Sequence, residues 1–356
     1  MTQAAADDDD AAATDAAEPA ADGTARDQDV SGVTNTDTAS NSSETTTSSG
    51  EPGYSTMDTG AVDAETDDSP RTDEATATTD DRYTRKRCVL VTDCASPVGA
   101  ATARAFLAED WFVVAAATDR EAIADLADAG CETIELDVTD PAQVARAVER
   151  TVESGGAIDC LVTNAGYAQL GPIEDVSTAS LQRQFDVNVY GPHRLTRAAL
   201  PHMRAQGDGR IINVSSILGR LSFAGTGPYA GSKHALEAMS DALRAEVEEF
   251  GLEVVVVEPG PIETATPEGV DEEVPNERTP AYESLYELFD EAELVGGDGP
   301  LAVDPEDVAA AILHAGTCPE PPARYPVGPV AEYGLYARFL PDRLRDAVYG
   351  LLRRLV

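Results

Sequence analysis

A tyrosine and a lysine four residues apart, in Tyr229-Ala-Gly-Ser-Lys233, are the pair in this sequence best suited to do chemistry. On a helix, residues i and i+4 project from one face. An ammonium beside a phenol favours the phenolate and lowers the phenol's pKa. A phenol so tuned passes a proton to or from a substrate oxygen near neutral pH. Chance placement of 11 Tyr and two Lys in 356 residues gives only about 0.06 such pairs. Lysine is otherwise almost absent, with Lys86 alone beside it against 23 Arg. The position therefore calls for a compact point charge rather than a planar fork. Two further residues stand at useful spacing. Ser216 lies thirteen residues before Tyr229, and Asn188 lies in Phe185-Asp-Val-Asn-Val-Tyr-Gly191. Taken alone, Ser216 reads as a strand-end turn residue. Taken alone, Asn188 reads as a helix-interior amide bonding back to its own backbone.

The elements that must position these residues alternate. Short apolar runs at Cys88–Thr92, Trp111–Ala117, Thr133–Leu136, Ile158–Thr163, Arg210–Val214 and Glu253–Glu258 read as buried strands. Between them fall helical stretches at Val98–Glu109, Arg120–Ala129 (capped by Asp119), from Asp140-Pro141, at about Ser180–Arg204, and from near Tyr229 to Phe250. This alternation predicts an α/β fold, a doubly wound, mostly parallel Rossmann-like sheet. The folded domain is expected over 85–330. Within it, 263–300 is acidic and rich in Gly and Pro, with a helical patch at Ala281–Glu293, and reads as a substrate lid or insertion. Asp304-Pro305 starts a further helix to about His314, and Arg324–Val327 reads as an edge strand. Apolar residues at helical spacing over Tyr333–Val356 predict a C-terminal amphipathic extension, 331–356, with Arg343, Arg345, Arg353 and Arg354 on it. Packing on the domain or a partner subunit is its expected role, with membrane-surface contact the lesser alternative.

Charge excludes other classes. The net charge is −40. Residues 1–81 carry 21 Asp and Glu against Arg26 and Arg71, with Tyr54 as the one aromatic. Such a stretch has too little apolar surface to offset the entropy of ordering, so 1–84 is expected to be a disordered acidic tail. Without clustered Lys and Arg no nucleic-acid partner is expected. An acidic chain nearly without Lys suits the cytosol of a salt-accumulating halophile, where screening removes its self-repulsion. No apolar run is long enough for a transmembrane span, and the acidic start is unlike a secretory signal. A cytoplasmic protein is expected. Cys88, Cys94, Cys131, Cys160 and Cys318 include no CxxC and read as small buried hydrophobes. His193, His202, His234 and His314 lack metal-ligand spacing, so no metal is expected.

In order and spacing, these segments resemble a classical short-chain dehydrogenase/reductase, in a branch with hydroxysteroid and retinol dehydrogenase-like members. Thr163-Asn164-Ala165-Gly166 resembles the family's Asn-Asn-Ala-Gly, and Ser215-Ser216, Tyr229-xxx-Lys233 and Pro259-Gly-Pro-Ile-Glu-Thr264 follow in the family's order. The resemblance covers about 86–265. It implies Tyr229 as general acid/base and Ser216 as hydrogen-bond donor to the substrate oxygen. Lys233 would tune Tyr229 and hold the nicotinamide ribose, and Asn188 would hold a relay water. Ser96, Val98, Asp137 and Val138 would contact the dinucleotide, with Asp137 at the adenine. Asn164 and Gly166 would let the backbone pass close to it, and Pro259, Gly260, Ile262 and Thr264 would wall the carboxamide. The implied reaction interconverts an alcohol and a ketone or aldehyde on a hydrophobic small molecule, with hydride exchanged with NAD(P)(H). A homodimer or tetramer is the implied assembly.

One segment departs from the family. Its Thr-Gly-x-x-x-Gly-Ile-Gly turn reads Thr92-Asp93-Cys-Ala-Ser-Pro97-Val-Gly99 here. Asp93 adds a negative charge near phosphates, and Pro97 offers no N–H to them. The alternative this opens is a catalytically silent binding or scaffold protein on the same fold. An acid ending the second strand would favour NAD(H). Ala117 and Thr118 stand there instead, so NADP(H) is the expected cofactor. Leu221 and Phe223 are candidate pocket walls.

Overall fold

The structure is a computed structural model, and it describes residues 85–263, 272–292, 302–341, 343 and 344. The expected tail over 1–84, Thr264, much of the 263–300 insertion and residues 345–356 lie outside the described residues.

In chain order the elements are β1 (Cys88–Val91), α1 (Pro97–Ala108), β2 (Phe112–Ala117), α2 (Ala124–Ala129), β3 (Glu132–Glu135), α3 (Pro141–Gly155), β4 (Cys160–Thr163), β5 (Ala168–Gln169), α4 (Thr178–Phe185), α5 (Gly191–Gln206), β6 (Gly209–Val214), α6 (Gly227–Val247), β7 (Leu252–Pro259), β8 (Glu272–Glu273), α7 (Glu283–Ala292), α8 (Pro305–Thr317), β9 (Arg324–Val327) and α9 (Pro329–Gly334). Seven strands form one parallel sheet in the order β3-β2-β1-β4-β6-β7-β9. The chain winds outward from β1 to β3, then returns to the other side of β1 with β4. That reversal is the switch point of a doubly wound sheet, where ligands bind beyond the strands' carboxyl ends.

Alternation along β1 shows why its residues are all apolar. Val89 and Val91 face a core shared with Phe106 of α1 and Ile312 of α8, while Cys88 and Leu90 face one shared with Val148 of α3 and Leu195 of α5. Both faces are covered, so the strand reads as a continuous apolar run. The helix starts follow the sequence signals. Asp140 caps α3 by accepting from Ala142 N (2.8 Å), with Pro141 in its first turn. Asp119 instead accepts from Glu121 N, opening a 3-10 turn at Glu121–Ile123 ahead of a shorter α2.

Two expectations from the sequence need correction. The single helix expected over Ser180–Arg204 is two helices joined by a π-turn at Asp186–Tyr190. A π-turn inserts one extra residue, so each side of it keeps a helical pattern and only the phase between them shifts. Among the described residues, the continuous helix expected from Tyr333 is interrupted near its start. After α9 the chain makes a 3-10 turn at Leu335–Phe339 and leaves it in an extended conformation at Leu340, before Pro341. Pro restricts the preceding residue to such a conformation. One unexpected element joins the site to the following segment: β5 pairs in parallel with β8, forming a two-stranded sheet.

Candidate active site

The strand ends assemble the site. Ser216 follows β6 in an extended conformation, and its Oγ accepts from Leu218 N (3.1 Å), capping a 3-10 turn at Ile217–Gly219. Tyr229 and Lys233 project from one face of α6, both buried, with Lys233 Nζ 5.7 Å from the Tyr229 ring centre. Lys233 Nζ donates to Val214 O at the end of β6 (3.0 Å), which ties the helix to the strand that carries Ser216. Burial pushes the Lys233 ammonium down to about 8, against the opposing pull of the Glu237 and Asp93 charges.

The π-turn carries Asn188 inward. Its side chain is fully buried, accepting from Tyr167 N (3.1 Å) and donating to Tyr167 O (3.0 Å) and Ser232 Oγ (3.1 Å). Ser232 donates in turn to Tyr229 O (2.7 Å). Asn188 thus links the segment after β4 to the first turn of α6. Gly166 lies between them. A Cβ there would stand 3.1 Å from Asn188 Oδ1 and 3.4 Å from Lys233 Nζ, so a side chain would fill the cradle above the lysine.

The altered turn after β1 is rebuilt rather than lost. Asp93 itself adopts a left-handed backbone, φ 55, a region that Asp and Asn enter more readily than most residues. Ser96 caps α1: its Oγ donates to Asp93 O (2.8 Å) and accepts from Gly99 N (3.2 Å) and Asn164 Nδ2 (3.0 Å). Pro97 occupies the first helical position, where a missing N–H costs least. Thr92 Oγ1 accepts from Asn164 N (2.9 Å) and Ala165 N (3.2 Å), holding the turn against the end of β4. Gly99 remains essential, because a Cβ there would overlap the Asp93 carbonyl.

Ser216, Tyr229, Pro259, Gly260 and Ile262 line one cavity of about 200 Å³, with Ile217, Leu218, Phe223, Thr226 and Val330. Leu221 instead packs in the core beneath it. Val98 is buried at the start of α1. Asp137 follows β3, its Oδ1 accepting from Thr139 N and Oγ1, and Val138 is buried beside it. These two stand at the far side of the switch point, away from the cavity. Thr264 is outside the described residues. A larger hollow of about 720 Å³ runs along β3 and α3 at the sheet's edge, among mixed charges such as Arg146 and Glu149, far from this chemistry. The sequence reading missed Tyr167, Ser232 and Thr92, whose parts are played through backbone groups or common hydroxyls.

The residues present fit a dinucleotide. The α1 N-terminus starts at the end of β1, and Gly166 leaves the space beside Asn188 and Lys233 that a Cβ would fill. Among the described residues there, the Asp93 charge and the missing Pro97 N–H oppose an anionic ligand.

Comparisons with known proteins agree with this site in one direction. Residues 87–275 match the profile of the short chain dehydrogenase family. A crystal structure of a short-chain dehydrogenase from Streptomyces avermitilis is 35% identical, with a TM-score of 0.67 over 76% of this chain and 97% of its own. The NADPH-dependent 3-dehydrocapnine reductase of Ornithobacterium rhinotracheale is 32% identical over 74% of this chain and 96% of its own. A short chain dehydrogenase/reductase from Burkholderia phymatum, in complex with NAD, is 25% identical with a TM-score of 0.55, over 65% and 85%. The chain belongs to the short-chain dehydrogenase/reductase family and is an oxidoreductase of that family.

Proposed function

We propose that this chain interconverts an alcohol and a ketone or aldehyde on a neutral, hydrophobic small molecule, with NADP(H) as the preferred cofactor. The observation that carries the reading is the cavity itself. Its described lining has no charged side chain, and the Ser216 and Tyr229 hydroxyls stand among apolar walls. Such a pocket takes an apolar body and fixes one oxygen.

When bound, the nicotinamide dinucleotide supplies or accepts the hydride. The chain's residues do the rest. Ser216 Oγ already accepts from Leu218 N, so its own proton is available to the substrate oxygen and stabilises charge developing there. Tyr229 delivers the proton to that oxygen in reduction and removes it in oxidation. The Lys233 ammonium favours the ionised phenol. Asn188 keeps Tyr167 and the first turn of α6 in register. Asp137, Val138, Asn164, Gly166, Val98, Ser96 and the Pro259–Ile262 segment are the residues we assign to the dinucleotide, with Thr264 following them. The NADP(H) preference rests on Ala117 and Thr118 at the end of β2, with Arg120 two residues on, and on the NADPH-dependent relative.

The test is cofactor titration in about 2–3 M KCl, where surface charge is fully screened, following nicotinamide fluorescence with NADPH and then NADH. Saturable binding, with turnover of an apolar ketone that Tyr229→Phe abolishes, supports the reading. Failure of a folded protein to bind either dinucleotide would favour the silent binding protein, with Asp93 as its cause. The same titration repeated in dilute buffer checks the halophile reading, which expects loss of structure there.

A further inference from the structure

Beneath the active site lies a charge cluster that the proposed reaction does not use. Glu237 stands one turn past Lys233 on α6 and is buried; Asp93, in the turn after β1, is the other carboxylate whose charge acts on Lys233 and is common to every variant compared below. Tyr229, Lys233, Glu237 and Asp241 follow one another at four-residue steps along one face. Glu258, near the end of β7, is buried against Glu237. Two guanidiniums come in from other elements. Arg324 of β9 reaches Glu237 Oε2 (3.1 Å) and Glu258 Oε1 (3.3 Å), and Arg220, after the 3-10 turn that Ser216 caps, reaches them at 3.6 and 3.9 Å. Asp241 takes a second nitrogen bond from Arg324 (2.7 Å) and one from Arg244 (2.7 Å), so its charge is spent at the solvent side.

Among the described residues, Glu237 Oε1 and both Glu258 oxygens accept no hydrogen bond from a nitrogen or hydroxyl. Buried carboxylate oxygens without donors are costly. One proton placed between the two side chains removes that cost: Glu258–OH donates to Glu237, as in other paired carboxylates that cannot both ionise. Burial and the facing Glu237 carboxylate both push the Glu258 carboxyl upward, in the direction this arrangement requires.

We propose that Glu237 is a positioning residue of the active site: with Glu258 protonated beside it, its single negative charge, held by Arg220 and Arg324, keeps the buried Lys233 ammonium charged beneath Tyr229. The proposal rests on the reading of Tyr229 and Lys233 given above, but its test does not need turnover. The chain has only two lysines. Lys86 pairs with Asp110 on the surface, so Lys86→Arg leaves Lys233 as the sole lysine. Lysine-selective ¹³C and ¹⁵N labelling of the full chain then gives one side-chain resonance, whose titration with pH reports the Lys233 ammonium directly.

In this background Glu237→Gln should move the titration midpoint about one pH unit to acid, the shift expected for removing one nearby opposite charge. Glu237→Asp, which keeps the charge, should recover most of the shift. Glu258→Gln, which still donates to Glu237, should leave the midpoint in place. An unmoved midpoint in a folded Glu237→Gln protein overturns the proposal. An equal shift in Glu258→Gln overturns it too, because packing rather than the Glu237 charge would then be responsible. If the oxidoreductase reading fails instead, no turnover appears in the parent, while the lysine titration still decides the role of Glu237.

Discussion

Replacing Gly99 by Ala tests the rebuilt phosphate turn most directly. The added Cβ would overlap the Asp93 carbonyl oxygen and stand 2.8 Å from the Asp93 carbon and 2.9 Å from Cys94 Cα. All three are backbone atoms, so no rotamer change relieves the clash. The turn is held in place by Cys94 N to Ala116 O (2.8 Å) and by Ser96 Oγ to Asp93 O (2.8 Å). Overpacking of this kind costs about 1–3 kcal/mol, and disrupting one or two of those bonds adds about 1 kcal/mol each. Alanine's better helix propensity in α1 returns about 1 kcal/mol. The net loss is about 1–4 kcal/mol. For a folded part of this size the middle of that range corresponds to a fall in Tm of about 5–10 °C. The displaced turn should also weaken dinucleotide binding at least tenfold. Thermal melts and fluorescence titrations of both proteins measure the two effects. Gly231→Ala is the control. Its Cβ would meet nothing closer than Phe185 Cζ at 4.0 Å, so it should melt at or slightly above the parent temperature. A Gly99→Ala protein that melts and binds like the parent would refute the contact argument and the turn's role together.

Other outcomes follow from the same geometry. Asp93→Asn keeps a residue tolerant of the left-handed backbone and removes the charge facing a phosphate; it should tighten dinucleotide binding about fivefold or more at low salt, with the gain shrinking in concentrated KCl, and weaker binding would contradict this. Ser216→Ala and Tyr229→Phe should each lower kcat by at least about a hundredfold while leaving dinucleotide affinity within about threefold; parallel losses in affinity would mean that these residues bind rather than react. Activity should decline above pH about 8 as the Lys233 ammonium loses its proton. Because the folded-state value lies below the ordinary 10.5, the unfolded chain binds the proton more tightly between those limits. Stability of the parent relative to Lys233→Met should therefore rise with pH across that window, and a flat difference in paired denaturant titrations would refute the assignment.

Strand–helix alternation and the Tyr229–Lys233 spacing were legible because each is encoded locally. A parallel strand covered on both faces must be apolar throughout, and a helix must return to one face every fourth residue. The rest of the site is encoded at a distance. Arg220, Glu237, Glu258 and Arg324 come from a loop, a helix and two strands, and only the order β6-β7-β9 brings them together. No periodicity marks them, although Glu237 at the next helical step after Lys233 carried the one local hint. The π-turn that turns Asn188 inward was hidden for a local reason: the segments on each side of it read as helix, and only the phase between them shifts.

The turn after β1 shows how a motif can lose its residues and keep its conformation. Reading the sequence alone, two missing glycines count against a bound phosphate. In the structure each substitution answers a separate physical demand. The left-handed position goes to Asp93, among the residue types that bear it best. The helix start goes to Pro97, whose fixed φ suits it. Gly99 stays at the position where any Cβ collides with backbone. The sterically irreplaceable glycine is thus the one retained, while the replaced ones stood where charge and hydrogen bonding, rather than space, change. What these substitutions alter is the strength of anion binding, and a medium that screens the Asp93 carboxylate offsets that cost.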